Sequence, residues 1–557
     1  MSTLRYELIG TTINRITTLT DNNIYNDIHK QFEFKKQTVL ADKILTNDEK
    51  TYAIRWITKN YDRNKVINND GTKRICENCN QECLATLYCE YCIRNYLKEN
   101  FSNWTSGNDD IDNLIQKCQL ETTRPNVIVE WIPYSNLKNI RYLTKGGFSE
   151  IYTASWINGR YDEWDYEKKQ LKRGEISGMQ NMVTEVVLKT LESVESANQS
   201  WFEEAKSHLT ISNKWAVVVR CYGLTQNPSN GNYMLVMMKR DMDLRKYLQQ
   251  NHNQLTWKKR INITYDIIHA LSYIHDEEAI HRDLHSGNIL YSQLNNSWCV
   301  SDLGFCGPAD KSSTSIYGNL PYIAPEVIVG REYTFASDIY SIAILMWEIS
   351  SGQPPFINYE HENDIVMNII NGIRPKIVPG TPLEYKNLMK ECWDADPLKR
   401  PDANALEIKM RRINLHYQNM SDELFKLEMD NLEMNKVGAN YTSSSKIHNF
   451  GNLPEPRNAT EEEQEEFHSK LYDFNIPDNI SDFNKSNKRN SKSSKVITIF
   501  RDSNKKLSKL FKKLQIKSNN DEKEITQQHV NDDDEVYNNP NLHSEEQDEL
   551  EIPDDGF

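Results

Sequence analysis

The sequence predicts an α+β protein whose largest unit runs from about residue 135 to 415, with a small cysteine-rich module ahead of it and a mostly unfolded tail behind. Three observations carry that reading. Between those bounds short β-branched runs such as "EVVLKTL" and "YMLVMM" alternate with longer amphipathic stretches, the pattern of a mixed α and β domain. Five of the ten cysteines fall together in "CENCNQECLATLYCEYC". Beyond residue 420 Asn, Ser and charge take over, and 14 acidic residues crowd 521–557. A chain of 557 residues is too long for one core, and a hydrophobic fraction of 38% is too low for all of it to offset its ordering entropy.

Charge and patterning exclude several classes. A net charge of −14 disfavours general nucleic-acid binding, because phosphate backbones reward positive surface. No apolar run approaches the about 18 residues of a membrane span, and "MSTLRYELIG" shows no charged-then-apolar leader. The expected location is the cytoplasm, with the nucleus as the second choice.

Residues 1–70 are expected to be partly helical and carry no motif that assigns them a role. In the module at 71–97, Cys76 and Cys79 form one C-x-x-C pair and Cys89 and Cys92 another. Two such turns facing each other complete the thiolate tetrahedron that zinc prefers, a short zinc-ribbon-like pattern, with Cys83 left as a spare. The alternative is a solvent-facing hairpin with incidental thiols.

The unit at 135–415 holds "VVLK" ending at Lys189, then "IHRDLHSGNIL" at 280–290, "VSDLGF" at 300–305 and "APE" at 324–326. In this order the set resembles the protein kinase superfamily, specifically its tyrosine-kinase-like branch. The chain is also similar to fungal kinases with a cysteine-rich segment ahead of the catalytic domain. The resemblance implies a two-lobed fold, a small β-rich N-lobe and a large helical C-lobe, and transfer of the ATP γ-phosphoryl group with Mg2+ or Mn2+. It implies that Asp283 takes or orients the acceptor proton, that Asn288 and Asp302 hold magnesium, and that Lys189 binds the α and β phosphates. The partner of Lys189 is expected at Glu204 in "WFEEAKSHL", with Glu203 as the alternative. Glu326 is expected to pair with Arg400, and Asp338 to brace the catalytic loop. Met237 and Met238, ending "YMLVMM", are expected to contact the nucleotide.

The glycine loop "YLTKGGFSEIY" departs from the family pattern. Its three glycine positions fall at Thr144, Gly146 and Ser149, with Phe148 at the tip and Ile151 in the valine place. The middle glycine, where backbone comes closest to phosphate, is kept, and Gly147 beside it adds freedom. The loop is expected to bind ATP more weakly than a three-glycine loop. An active kinase is therefore the first reading, and a pseudokinase scaffold that binds nucleotide weakly and recruits partners is the second. A third is a binding protein whose zinc module and basic tail dominate.

Serine/threonine kinases usually carry lysine two residues after the catalytic aspartate and threonine after the glycine of "GTxxYxAPE". Here His285 and Asn319 stand there, and branch membership favours Ser/Thr over Tyr. Ser313, Thr314 and Ser315 in "KSSTSIYGN" are candidate activation-loop phosphosites facing Arg282. Within the basic amphipathic segment 485–517 of the tail, Leu507, Leu510, Phe511 and Leu514 recur at helical spacing. Residues 495–517 thus suit an anionic membrane surface or a calmodulin-like partner, or form a weak helix held by the acidic end.

Overall fold

The protein is seen in a computed structural model that describes residues 4–21, 24–146, 149–174, 183–191, 200–293, 296–304, 306, 316–357, 359, 361–420, 445–451 and 453–471. Gly147, Phe148, Ser313, Thr314, Ser315 and the segment 485–517 lie outside the described residues. No helix among the described residues is long and apolar enough to cross a membrane.

The chain opens with three helices, α1 (Tyr6–Thr18), α2 (Ile28–Ala41) and α3 (Asn47–Asn68). Ile9, Ile13 and Ile16 recur on one face of α1 and bury against Val39, Ala53 and Ile57. The start of α3 is set by a capping box between Thr46 and Glu49, and Asn69 ends it in the left-handed region at φ 47°. Strands β1 (Arg74–Ile75) and β2 (Glu82–Cys83) form a hairpin, followed by α4 (Glu90–Glu99) and α5 (Asp109–Leu120).

The N-lobe sheet contains β3 (Glu130–Trp131), β4 (Leu137–Lys145), β5 (Glu150–Ile157), β8 (Val183–Thr190), β9 (Cys221–Gln226) and β10 (Tyr233–Met238), in the order β3-β9-β10-β8-β5-β4. Only β3 runs parallel to its neighbour. Helix α6 (Ser200–Lys214) packs Trp201, Ala205 and Leu209 inward, and α5 covers it with Ile111, Leu114, Ile115 and Cys118. The packed lobe therefore reaches beyond the bounds 135–415 at its N-terminal side. A second difference is the hairpin of β6 (Tyr161–Asp165) and β7 (Gln170–Arg173), inserted between β5 and β8. Its Trp164 and Leu171 bury in the cysteine module, so one core joins the two.

The C-lobe holds β11 (Met242–Asp243), α7 (Leu244–Asn251), α8 (Trp257–Asp276), β12 (Ile289–Ser292), β13 (Ser297–Val300), β14 (Ile316–Gly318), α9 (Pro325–Ile328), α10 (Phe335–Ser351), α11 (Glu362–Ile370), α12 (Leu383–Cys392) and α13 (Ala403–Asn419). Helix α10 is buried on all sides from Ser337 to Ser351, the central rod of the lobe.

Part of the stretch expected to be mostly unfolded is folded. Residues 445–451 and 453–471, within the stretch assigned to a mostly unfolded tail, lie on the C-lobe. Strand β15 (Lys446–His448) pairs antiparallel with β14, and α14 (Glu461–Leu471) follows. Phe450 and Leu453 pack on the lobe core, and Arg457 N–H donates to Ile370 O at 3.0 Å. Gln464 holds both sides of the turn after α11, donating to Gly372 O at 2.7 Å and accepting from Arg374 N–H at 3.3 Å. A side chain on Gly372, at φ +80°, would overlap the backbone of Arg457 and Ala459. Composition reports charge averaged over a window; it is blind to a few anchors spaced along an extended strand.

Candidate active site

The β4–β5 ladder shifts register between Tyr142 and Thr144 and then continues into the glycine turn. Thr144 pairs with Ile151 and Lys145 with Glu150, and Gly146 N–H donates to Ser149 O at 2.8 Å. A Cβ on Gly146 would meet Ser149 O at an ordinary 3.6 Å. The protein's own packing therefore does not require glycine there, which leaves the space above the loop as the reason for it.

Across β5–β8, Ile151 faces Lys189, whose ammonium lies 2.8 Å from Glu204 Oε1 and also pairs with Asp302. Neighbouring Glu203 is half-buried and pairs instead with Lys206. Burial opposes the charge on Lys189, but the two carboxylates outweigh it and raise its pKa above the usual lysine range. Burial likewise opposes ionisation of Asp302, and Lys189 overrides it, holding the carboxyl well below its ordinary value. His208, one turn beyond Glu204 on α6, accepts the Leu303 N–H at 3.2 Å and so ties α6 to "DLG". Burial first and then Lys189 push its pKa down to about 3, so the ring is neutral and can accept. Met237 is buried in the N-lobe core, while Met238 is half-buried where β10 leaves the lobe.

The catalytic loop is braced from α10. Asp338 accepts from His281 N–H at 2.8 Å and Arg282 N–H at 3.0 Å, and meets His275 Nε2 at 2.9 Å. Those contacts hold Arg282 at φ 68°. Asn288 Nδ2 donates to Asp283 O at 2.9 Å, which commits the amide nitrogen and leaves the amide oxygen as the group that can ligate a metal. With the ionised Asp302, that makes a hard-oxygen donor set of the kind magnesium takes. Glu326 and Arg400 form a buried two-pronged ion pair at 2.7 Å on each arm.

Around Asp283 the structure adds residues that motif reading leaves without a role. Asp283 Oδ1 accepts from Asn319 N–H at 3.2 Å, so backbone supplies the contact where a threonine hydroxyl is usual. His285 Nδ1 accepts Gly287 N–H at 3.1 Å, which puts the ring proton on Nε2. That nitrogen lies 3.7 Å from Asp283 Oδ2 and 3.2 Å from Ser445 Oγ. Ser445 Oγ is also 2.9 Å from Asp283 Oδ1. Burial and the Asp283 charge raise the Tyr317 pKa, so this phenol beside Ser445 stays neutral. His208 could have been found from its i,i+4 spacing to Glu204. Ser445 could not, since 162 residues separate it from Asp283.

In the cysteine module the Sγ atoms of Cys76, Cys79, Cys89 and Cys92 all lie within 4.8 Å of one another. Cys76 and Cys92 are 3.6 Å apart and Cys79 and Cys89 3.7 Å. Zn–S bonds of about 2.3 Å set tetrahedral edges of about 3.8 Å, so the four thiols fit zinc as they stand. Cys83, Cys89 and Glu90 form a second, overlapping group.

Fold and site together define a two-lobed phosphotransferase domain. Residues 137–410 match the family described as protein tyrosine and serine/threonine kinase, and this part of the chain is a protein kinase domain of the tyrosine-kinase-like type. A dual serine/threonine and tyrosine protein kinase of Mus musculus is 33% identical over 184 residues, 32% of this chain and 19% of its own. Its Homo sapiens counterpart is 34% identical over 172 residues, 30% of this chain and 18% of its own. The probable serine/threonine-protein kinase roco5 of Dictyostelium discoideum is 28% identical over 308 residues, 52% of this chain and 10% of its own. The matched part of the chain thus spans about a fifth or less of the length of these relatives.

Proposed function

We propose that the protein transfers the γ-phosphoryl group of ATP to protein hydroxyls, serine and threonine before tyrosine, in intracellular signalling. The observation that carries this is the assembled ion set: buried Lys189 paired with Glu204 on α6 and with the half-buried Asp302 of "DLG". Lys189 holds the α and β phosphates and Glu204 fixes the ammonium. Asn288 and Asp302 would hold magnesium, which when bound would neutralise charge on the transferred group. Asp283 orients the acceptor hydroxyl and takes its proton, and His285 Nε2–H steadies the same oxygen. All three relatives carry serine/threonine in their names and two of them tyrosine as well, so placing serine and threonine first draws on the third, roco5, and on the tyrosine-kinase-like branch. The test is transfer of labelled phosphate from Mg-ATP to a mixed Ser/Thr/Tyr peptide library. Wild type should label it, and Asp283→Asn should not; transfer by neither under any metal would sink the reading.

A pseudokinase scaffold is the second reading, favoured by Thr144 and Ser149 in two glycine positions. In either case the four-thiol cluster serves as a structural zinc site, and its place ahead of the domain is the basis for likening the chain to fungal kinases of that order. Segment 495–517 remains the candidate for an anionic surface or a calmodulin-like partner, and the cytoplasm or nucleus the candidate location.

A further inference from the structure

We propose that Ser445 is the protein's own phospho-acceptor in cis, and that residues 445–448 occupy the channel that protein substrates use. This inference rests on the kinase reading above. Ser445 is buried against Asp283 with the hydrogen bonds an acceptor hydroxyl needs: its hydroxyl donates to Asp283 Oδ1 at 2.9 Å and receives Nε2–H of His285 at 3.2 Å. The residues after it run as β15 along β14, with Lys446 opposite Gly318, Ile447 opposite Tyr317 and His448 opposite Ile316. Gly318, at φ +134°, would bring a Cβ within 3.3 Å of Asp283 Oδ1, so glycine keeps the acceptor edge of that carboxylate open. His448 Nε2 meets Gly318 O at 3.0 Å, and Lys446 pairs with Glu362 of α11. A backbone-paired strand with a hydroxyl on the catalytic carboxylate is how an extended peptide adds to a sheet edge.

The step balances within the known reactants. Ser445 Oγ forms a bond to the γ-phosphorus of ATP, the bond from that phosphorus to the β,γ-bridging oxygen breaks, and ADP leaves with the electron pair. The hydroxyl proton passes to Asp283 and then to solvent. The product carries about two negative charges beside the Asp283 carboxylate, and like-charge repulsion expels the strand. The unmodified tail therefore competes with substrates, and its phosphorylation opens the channel. The geometry also names the substrate class: serine followed by a basic residue, read by Glu362.

Full-length protein incubated with Mg-ATP should gain phosphate at Ser445, located by mass spectrometry, with a rate per molecule that does not change on dilution. Transfer to an added peptide should show a lag that pre-incubation with ATP removes. Lys446→Glu should slow Ser445 labelling several-fold, and Lys446→Glu with Glu362→Lys should restore it, the size being that of a half-exposed ion pair. Labelling of the peptide library with Ser445 unmodified, or with phosphate at Ser443 or Ser444 instead, overturns this inference and leaves the kinase reading intact. A rate proportional to protein concentration overturns the cis assignment. No labelling of any hydroxyl overturns both.

Discussion

Gly146 and its two substituted neighbours place the first prediction at single residues. Thr144 sits in the β4–β5 ladder, and Ser149 contributes its carbonyl to the turn. Thr144→Gly with Ser149→Gly keeps both contacts and frees the backbone, so the KM for ATP should fall, by several-fold at most, because each glycine costs roughly 0.5–1 kcal/mol in regular structure. Gly146→Val should nearly abolish transfer while lowering the melting temperature far less, since a Cβ at this position meets only an ordinary contact within the protein. Steady-state kinetics and thermal melts check both; a parallel loss of stability would show that the glycine serves the fold. His208 gives a pH prediction. Its pKa falls from 6.5 to about 3 on folding, so between those values the unfolded chain binds the extra proton. Its contribution to stability is full above about pH 6.5 and is lost as the pH falls toward 3. His252, lowered to about 4 by burial, adds to the same slope. His208→Gln should flatten part of the dependence in denaturant titrations across that range, and an unchanged slope would count against a buried neutral ring. Lys189, Asp283 and Asp302 were legible in the sequence because phosphoryl-transfer chemistry admits few residue types at each position. Ser445 and Tyr317 were not, because their roles come from contacts that only the folded chain makes.

At the scale of elements, α5 is the support that motif reading does not supply. Ile115 is fully buried between α5 and α6, and α6 carries both Glu204 and His208. Ile115→Ala should cost roughly 2–5 kcal/mol as a core truncation. More specifically, amide exchange in α6 should rise while the central α10 stays protected, and kcat should fall as the Lys189–Glu204 pair loosens. Equal exchange gains in α6 and α10 would mean general destabilisation and no special support. The strands of the kinase sheet could be read from their alternation, and α6 from its apolar face. Helix α5 has the same amphipathic pattern, but no motif ties it to the domain, so sequence bounds drawn from catalytic motifs stop short of it. The hairpin β6–β7 escaped for the complementary reason: its apolar residues, Trp164 and Leu171, answer to the cysteine module and not to the sheet it interrupts.

Across the whole molecule the cysteine module is a junction, which makes zinc a test of assembly as well as of chemistry. Tyr88 OH donates to Thr123 O at 2.7 Å, Lys65 Nζ to Thr86 Oγ1 at 3.0 Å, and Arg74 reaches Tyr166 OH of the inserted turn at 2.9 Å. These bonds tie the module to α3, to the approach to β3 and to the β6–β7 hairpin. The clustering of the four thiols was legible because two C-x-x-C turns can bring their sulfurs to one point. What the module holds together was not, since its neighbours are brought to it by the fold. Purified protein should carry about one zinc per chain, bound by four thiolates. Cys76→Ser with Cys79→Ser should remove it, lower the melting temperature and reduce kinase activity together, whereas Cys83→Ser should keep the metal. Metal analysis, thermal melts and peptide phosphorylation on the same preparations separate the outcomes. Zinc lost with activity and melting temperature intact would make the module an appendage, and zinc retained by the double variant but lost on Cys83→Ser would move the site to the overlapping group of Cys83, Cys89 and Glu90.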